Sequence, residues 1–120
     1  IENPHVDIVA HPSGRVLNLR DGYELDWERI FRHAARYRTA LEINASPHRL
    51  DLNDRLARQA REYGVLLVIN TDAHHAQEYG NMRYGVWTAR RAWLRADDVL
   101  NTKDLPSLLA WLRSRRQGGT

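Results

Sequence analysis

The chain has 120 residues, 42% hydrophobic and 28% charged, which are the proportions of a globular domain rather than of a disordered segment. It has no cysteine, which excludes disulfides and thiolate metal sites. The formal charge of +3 is too small to establish nucleic-acid binding by itself, and the excess lies in the second half, where residues 61–120 carry nine Lys and Arg against six Asp and Glu.

Taken in order, Ile1–His5 is a lead-in and Val6–Ala10 (VDIVA) predicts a strand. A polar loop, His11–Tyr23, leads to Asp26, a helix N-cap candidate with Trp27, Ile30, Phe31 and Ala34 on one face behind it. Thr39–Ile43 predicts the second strand and Asn44–Leu52 the second loop. The next helix carries Leu56, Ala57, Ala60 and Tyr63 on one side and stops at Gly64. Val65–Ile69 (VLLVI) is apolar at every position, the pattern of a strand covered on both faces in a parallel sheet. It is also the longest apolar run, far below the roughly 18 residues of a membrane span. With no signal-peptide pattern either, a cytoplasmic location is expected.

Asn70–Asn81 is a third loop with room for one helical turn. Helices over Arg83–Leu94 and Leu105–Arg115 follow, separated by a turn at Asp97–Leu100, and Gln117–Thr120 reads as a frayed tail. Leu105, Leu108, Leu109 and Leu112 repeat at helical spacing. Trp27, Trp87, Trp93 and Trp111 all fall in predicted helices, and at least three of them are expected to pack against the sheet. Strand, long loop and helix recur three times, which is an α/β arrangement of about three parallel strands with flanking helices.

Such folds gather their chemistry at the C-terminal ends of the strands. His11 follows the first strand, Asn44 the second, and Asp72-Ala73-His74 the third. In an extended segment Asp72 and His74 point to one side, and with His11 they offer carboxylate and imidazole donors suited to a first-row divalent ion. An Asp-x-His alone is common in solvated loops; its weight here comes from His11 at the same end of the sheet. Arg15 and Arg49 lie in the same loops as phosphate clamps or as ordinary surface arginines. His48 and His75 are weaker candidates, His75 because it should alternate away from the site, and His5 and His33 read as structural or exposed. Arg83, Arg90, Arg91 and Arg95 occur with no acidic residue between them. With Tyr84 and Trp87 they suit either a DNA-facing stripe or the outer face of a packed helix, and the packed helix is favoured.

The strings VDIVAHPSGR, LEINASPHRLDLND, VINTDAHH and NMRYGVWTARRAW, followed by DVLNT, resemble consecutive segments of the PHP (polymerase and histidinol phosphatase) domain of family X DNA polymerases, from about Asn3 to Arg115. The resemblance implies the C-terminal half, over residues 1–116, of a distorted (β/α)7 barrel. It implies a site for up to three divalent metals (Mn²⁺ or Zn²⁺, with Mg²⁺ as a further candidate), and 3′–5′ exonuclease, AP-endonuclease or phosphatase chemistry serving DNA repair. His11 matches the histidine of the family's HP motif, and Asp72 and His74 match its DxH motif. Arg15, Arg49 and Asn44 are expected on the substrate side. The family's His-x-His motif and polymerase domain do not occur in these residues. Half a site, an inactive isolated fragment, self-association through exposed apolar surface and a need for the missing half of the barrel are therefore expected, with DNA met through the parent protein. A catalytically silent PHP module with a structural or DNA-binding role and a histidinol-phosphatase-type phosphomonoesterase are the alternatives.

Overall fold

The structure is a computed structural model describing residues 1–117. Three parallel strands, β1 (Ile8–Val9), β2 (Ala40–Asn44) and β3 (Leu67–Asn70), lie in that order with β2 central. Ile8 is in register with Ala40, Leu41 with Leu67 and Asn44 with Asn70. The helices are α1 (Trp27–Tyr37), α2 (Asp54–Glu62), α3 (Met82–Arg91) and α4 (Leu105–Gln117). The expected α/β class with parallel strands is what forms. No helix among the described residues is long and apolar enough to cross a membrane. Of the tail expected over Gln117–Thr120, residues 118–120 lie outside the described part.

Three of the helices, α1, α2 and α4, start where short polar side chains meet free amides. Asp26 accepts from the Arg29 N–H at 3.2 Å and Asn53 from the Leu56 N–H at 2.8 Å. Asp104 does the same for α4, accepting from the Ser107 N–H at 2.9 Å. Hydrogen bonds from the Ser107 side chain and backbone hold the Asp104 carboxyl below its ordinary range.

Side chains alternate across the sheet, so β2 and β3 each feed two cores. Leu41, Ile43, Leu67 and Ile69 join Phe31, Leu56, Ala57 and Ala89 in the larger one, against α1, α2 and α3. Ala40 and Val68 face the other way, onto Leu100 and Trp111. β3 is thus covered on both faces, as its apolar run implies.

Several boundaries differ from expectation. β1 keeps two of its five predicted residues, and Val65 and Leu66 precede β3 rather than open it. α3 ends at Arg91 because Trp93 takes a left-handed φ of 62°. The expectation for tryptophan is corrected: Trp27 and Trp111 pack, whereas Trp87 and Trp93 are 51% and 62% exposed. The inner face of α3 is built instead from Gly85 and Ala89, which bring its backbone close to the sheet, and Trp93 lies under the Arg58 guanidinium, 3.6 Å from its ring centre. The leucine stripe of α4 is also shifted. Leu105 and Leu109 are exposed, and the packed face is Leu108, Trp111, Leu112 and Arg115.

Gly85 permits the close approach of α3. A Cβ there would stand 2.3 Å from Ile69 Cγ2 and 2.9 Å from Ala45 Cβ. Alanine gains up to about 1 kcal/mol of helix propensity over glycine, but overpacking costs about 1–3 kcal/mol. Gly85→Ala is expected to lower the urea midpoint. Gly80→Ala, where a Cβ meets nothing within 4 Å, leaves it unchanged.

α4 is fastened to the start of the chain by Arg115, which is 2% exposed. Its guanidinium donates to the carbonyls of Arg38 (2.8 Å), Val6 (2.6 Å) and Pro4 (3.5 Å), to Thr39 Oγ1 (3.0 Å) and to the Asp7 carboxylate. Arg116 reaches the other Asp7 oxygen at 3.2 Å.

Candidate functional site

All three strands end at one rim, and a polar network crosses it. Its centre is Glu42, a strand residue only 6% exposed. Oε1 of Glu42 accepts from the His11 backbone N–H (3.0 Å) and from Asn44 Nδ2 (3.0 Å), and Oε2 accepts from Asn70 Nδ2 (2.9 Å). Asn44 Nδ2 also reaches Asp72 Oδ2 at 3.3 Å. Residues following β1, at the end of β2 and after β3 are therefore joined through one carboxylate and one carboxamide.

The loop after β1 has a second anchor. Asp51, 1% exposed, accepts from the Ser13 N–H (3.2 and 3.0 Å to its two oxygens) and from the Gly14 N–H (2.9 Å). Its own backbone pairs with Asn44, N–H to carbonyl at 2.5 and 3.3 Å. The turn carrying His11 is thus drawn onto the loop after β2.

Arg15 and Arg49 stand in these loops, as expected, but they bind protein backbone. Arg15 donates to the carbonyls of Arg49 (Nε, 2.8 Å) and Leu50, and Arg49 returns a 3.4 Å bond to the Arg15 carbonyl. The two side chains latch the loops together. Asn44 is buried, with Nδ2 shared between Glu42 and Asp72 and Oδ1 accepting from the Ser46 N–H at 3.0 Å.

The Asp72–His74 segment is not extended. Asp72 has φ of 55°, so simple alternation does not govern where its neighbours point. Its carboxylate turns toward Asn44, while His74 Nδ1 lies 2.8 Å from the Asp72 carbonyl. A carbonyl only accepts, so Nδ1 is the donor here, and in the neutral ring that leaves Nε2 for a ligand, the tautomer that metal-binding histidines commonly adopt. The His74 N–H is tied to Glu78 Oε1 at 3.3 Å. Among the described residues, no group of three or more His, Asp or Glu side chains stands together in a way that could hold a metal ion. His11, Asp72 and His74 share a rim without forming a preassembled cage.

The remaining histidines lie elsewhere. His33 bonds to the Arg29 carbonyl (2.9 Å) and lies 3.3 Å from Glu2. His5, His48 and His75 are exposed.

Glu42, Asp51 and Asn70 were not among the residues expected at the site. For Glu42 a signal existed: a carboxylate between Leu41 and Ile43 in a central strand is costly unless several donors meet it. For Asp51 and Asn70 the signal is three-dimensional, since their partners lie 37 and 28 residues away.

Over 113 residues, 94% of its length, the chain is 45% identical to the DNA polymerase/3′-5′ exonuclease PolX of Bacillus subtilis (strain 168), and the match covers 20% of that protein. It is 28% identical over 123 residues to a "probable phosphatase" of Thermoanaerobacter sp. (strain X514), covering 47% of it. A "probable phosphatase" of Shewanella halifaxensis (strain HAW-EB4) is 30% identical over 121 residues, with 46% of it covered. The chain therefore spans about a fifth of the polymerase and about half of each phosphatase. No family model matches it.

Proposed function

We propose that this chain, a relative along nearly its whole length of part of the DNA polymerase/3′-5′ exonuclease PolX, is a portion of a PHP-type phosphoesterase domain that hydrolyses phosphodiester bonds at DNA 3′ ends. The observation that carries the reading is the rim where His11 and Asp72, following parallel strands, are tied together through Glu42 and Asn44, with His74 held on the Asp72 carbonyl beside them. Kinship with probable phosphatases fits the same chemistry, a metal-assisted attack of water on phosphorus.

In this reading the three strands are part of a distorted (β/α)7 barrel. His11, Asp72 and His74 hold divalent metal (Mn²⁺ or Zn²⁺, with Mg²⁺ a further candidate) together with ligands from outside these 120 residues. Donor chemistry supports this: Asp72 supplies carboxylate oxygen, and His74 presents Nε2 in the coordinating tautomer. The metal, when bound, acidifies water and polarises the phosphoryl oxygen. Arg15 and Arg49, at the lip of the same loops, steady the phosphate charge. The isolated fragment is inactive because its ligand set is incomplete.

A second reading is a silent DNA-binding module. It is favoured by α3, where half-exposed Trp87 meets Tyr84 edge-on (5.4 Å between ring centres) and three arginines occur without an acidic residue.

The test is metal content and metal-dependent 3′–5′ cleavage of DNA by the intact protein that carries these residues. Wild type is expected to bind metal and cut. Asp72→Asn and His74→Ala are each expected to lose about 100-fold or more in rate while staying folded, an effect of the size that removing a group stabilising transition-state charge produces. DNA binding without metal or cleavage in the wild type favours the silent module.

A further inference from the structure

We infer that Glu42 is a positioning residue of the site: its buried carboxylate fixes the loops after all three strands relative to one another and so sets where His11 and Asp72 stand. The inference rests on the phosphoesterase reading and adds a residue and a role to it.

The argument starts from cost. A carboxylate at the centre of a parallel sheet is destabilising unless its lone pairs are met by good donors. The same face of β2 shows what packing alone selects, since Ala40, two residues earlier, sits in an apolar cluster with Val68, Leu100 and Trp111. The face turns polar at Glu42 and remains so at Asn44 and Asn70, where the strands approach their functional ends.

The donors that Glu42 receives are also specific. One is the main-chain N–H of His11 itself, at 3.0 Å, on a residue held at φ of 28°, a left-handed conformation that is unusual for a non-glycine residue. The second, Asn44 Nδ2, is shared with Asp72 Oδ2. The third, Asn70 Nδ2, fixes the start of the segment that leads to Asp72 and His74. A side chain with only a packing role has no reason to hold these three points at once. Groups that orient metal ligands without touching the metal commonly govern affinity and rate by about 10–100-fold.

The experiment uses the intact protein with Glu42→Ala and Glu42→Gln. It measures Mn²⁺ affinity by calorimetry, kcat and KM for DNA cleavage over a range of Mn²⁺ concentrations, and near-UV circular dichroism as a check on folding. Glu42→Ala is expected to weaken Mn²⁺ binding by about 10–100-fold and to lower kcat with KM for DNA little changed. Excess Mn²⁺ should restore part of the rate. Glu42→Gln should fall between Ala and wild type, because its amide oxygen still accepts from His11 and Asn44 while its NH₂ opposes Asn70. A folded Glu42→Ala with wild-type Mn²⁺ affinity and kcat overturns the inference. If Glu42→Ala fails to fold, Glu42→Gln decides: a weakened Mn²⁺ affinity supports the role and an unchanged one overturns it. A wild type that neither binds Mn²⁺ nor cuts DNA removes the phosphoesterase reading and this inference with it, an outcome distinct from either variant result.

Discussion

Arg115→Ala is expected to destabilise the fold by about 3–5 kcal/mol, the size of several acceptors losing their donor at about 1–3 kcal/mol each together with the packing lost around a buried side chain. Arg115 serves five acceptors, and three are backbone carbonyls, at Pro4, Val6 and Arg38. Arg116 stays within 3.2 Å of Asp7 in the variant, so the ionic partner is not abandoned. The main loss is the unpaired carbonyls and the cavity left between α4 and the lead-in. Two further variants separate these terms. Asp7→Asn should cost less, because Arg115 keeps four other acceptors. Arg115→Lys should fall between, since an ammonium keeps the charge but cannot span a fork of acceptors. Urea titration reads all three; with a slope of about 1–3 kcal/mol per molar, Arg115→Ala should move the midpoint by about a molar or more. An unchanged midpoint would show that the Arg115 bonds contribute nothing to holding the first residues.

Asp51→Ala is the second large effect. Its carboxylate accepts from the Ser13 and Gly14 N–H groups, both on buried residues. Leaving a buried donor unpaired costs about 1–3 kcal/mol, so the pair predicts a loss of about 2–5 kcal/mol. Asp51→Asn keeps one carboxamide oxygen as acceptor and should lose roughly half as much. The loss should be local before it is global: the Ser13 and Gly14 amides should exchange with solvent far faster in Asp51→Ala, while those of β2 and β3 quicken only in proportion to the loss of overall stability. Protection of both amides at wild-type levels would rule out Asp51 as the anchor of that loop.

Much of the architecture could be read from periodicity. The apolar run at Val65–Ile69, the helical spacing of Trp27, Ile30, Phe31 and Ala34 and the cap at Asp26 are local signals, and each has its counterpart in β3 and α1. The site was legible as a set of strand ends but not as a network. Asp72 departs from extended backbone, so the alternation placing its carboxylate beside the His74 ring does not apply. Arg15 and Arg49 have the composition of a phosphate clamp, yet nearby carbonyls take much of their donor capacity, and no one-dimensional pattern tells a carbonyl partner from a phosphate. Trp87 and Trp93 misled because large aromatics usually mark the buried side of a helix; at its closest approach to the sheet α3 presents Gly85 and Ala89, and Trp93 falls beyond its last residue. Asp51 makes sense only against partners far along the chain, whereas Glu42 carries a local signal, a carboxylate between Leu41 and Ile43, that does not name its distant partners His11 and Asn70.

The fastening of Pro4–Asp7 by Arg115 also sets the timing of biosynthesis. Val6–Val9 leaves the ribosome before Ala40, with which β1 pairs, and Asp7 precedes Arg115 by 108 residues. At about 5–20 residues per second that interval lasts roughly 5–20 seconds, during which the Pro4 and Val6 carbonyls lack their Arg115 donor. A pause in translation late in α4 would prolong it, and chaperones that hold extended segments have their longest opportunity there.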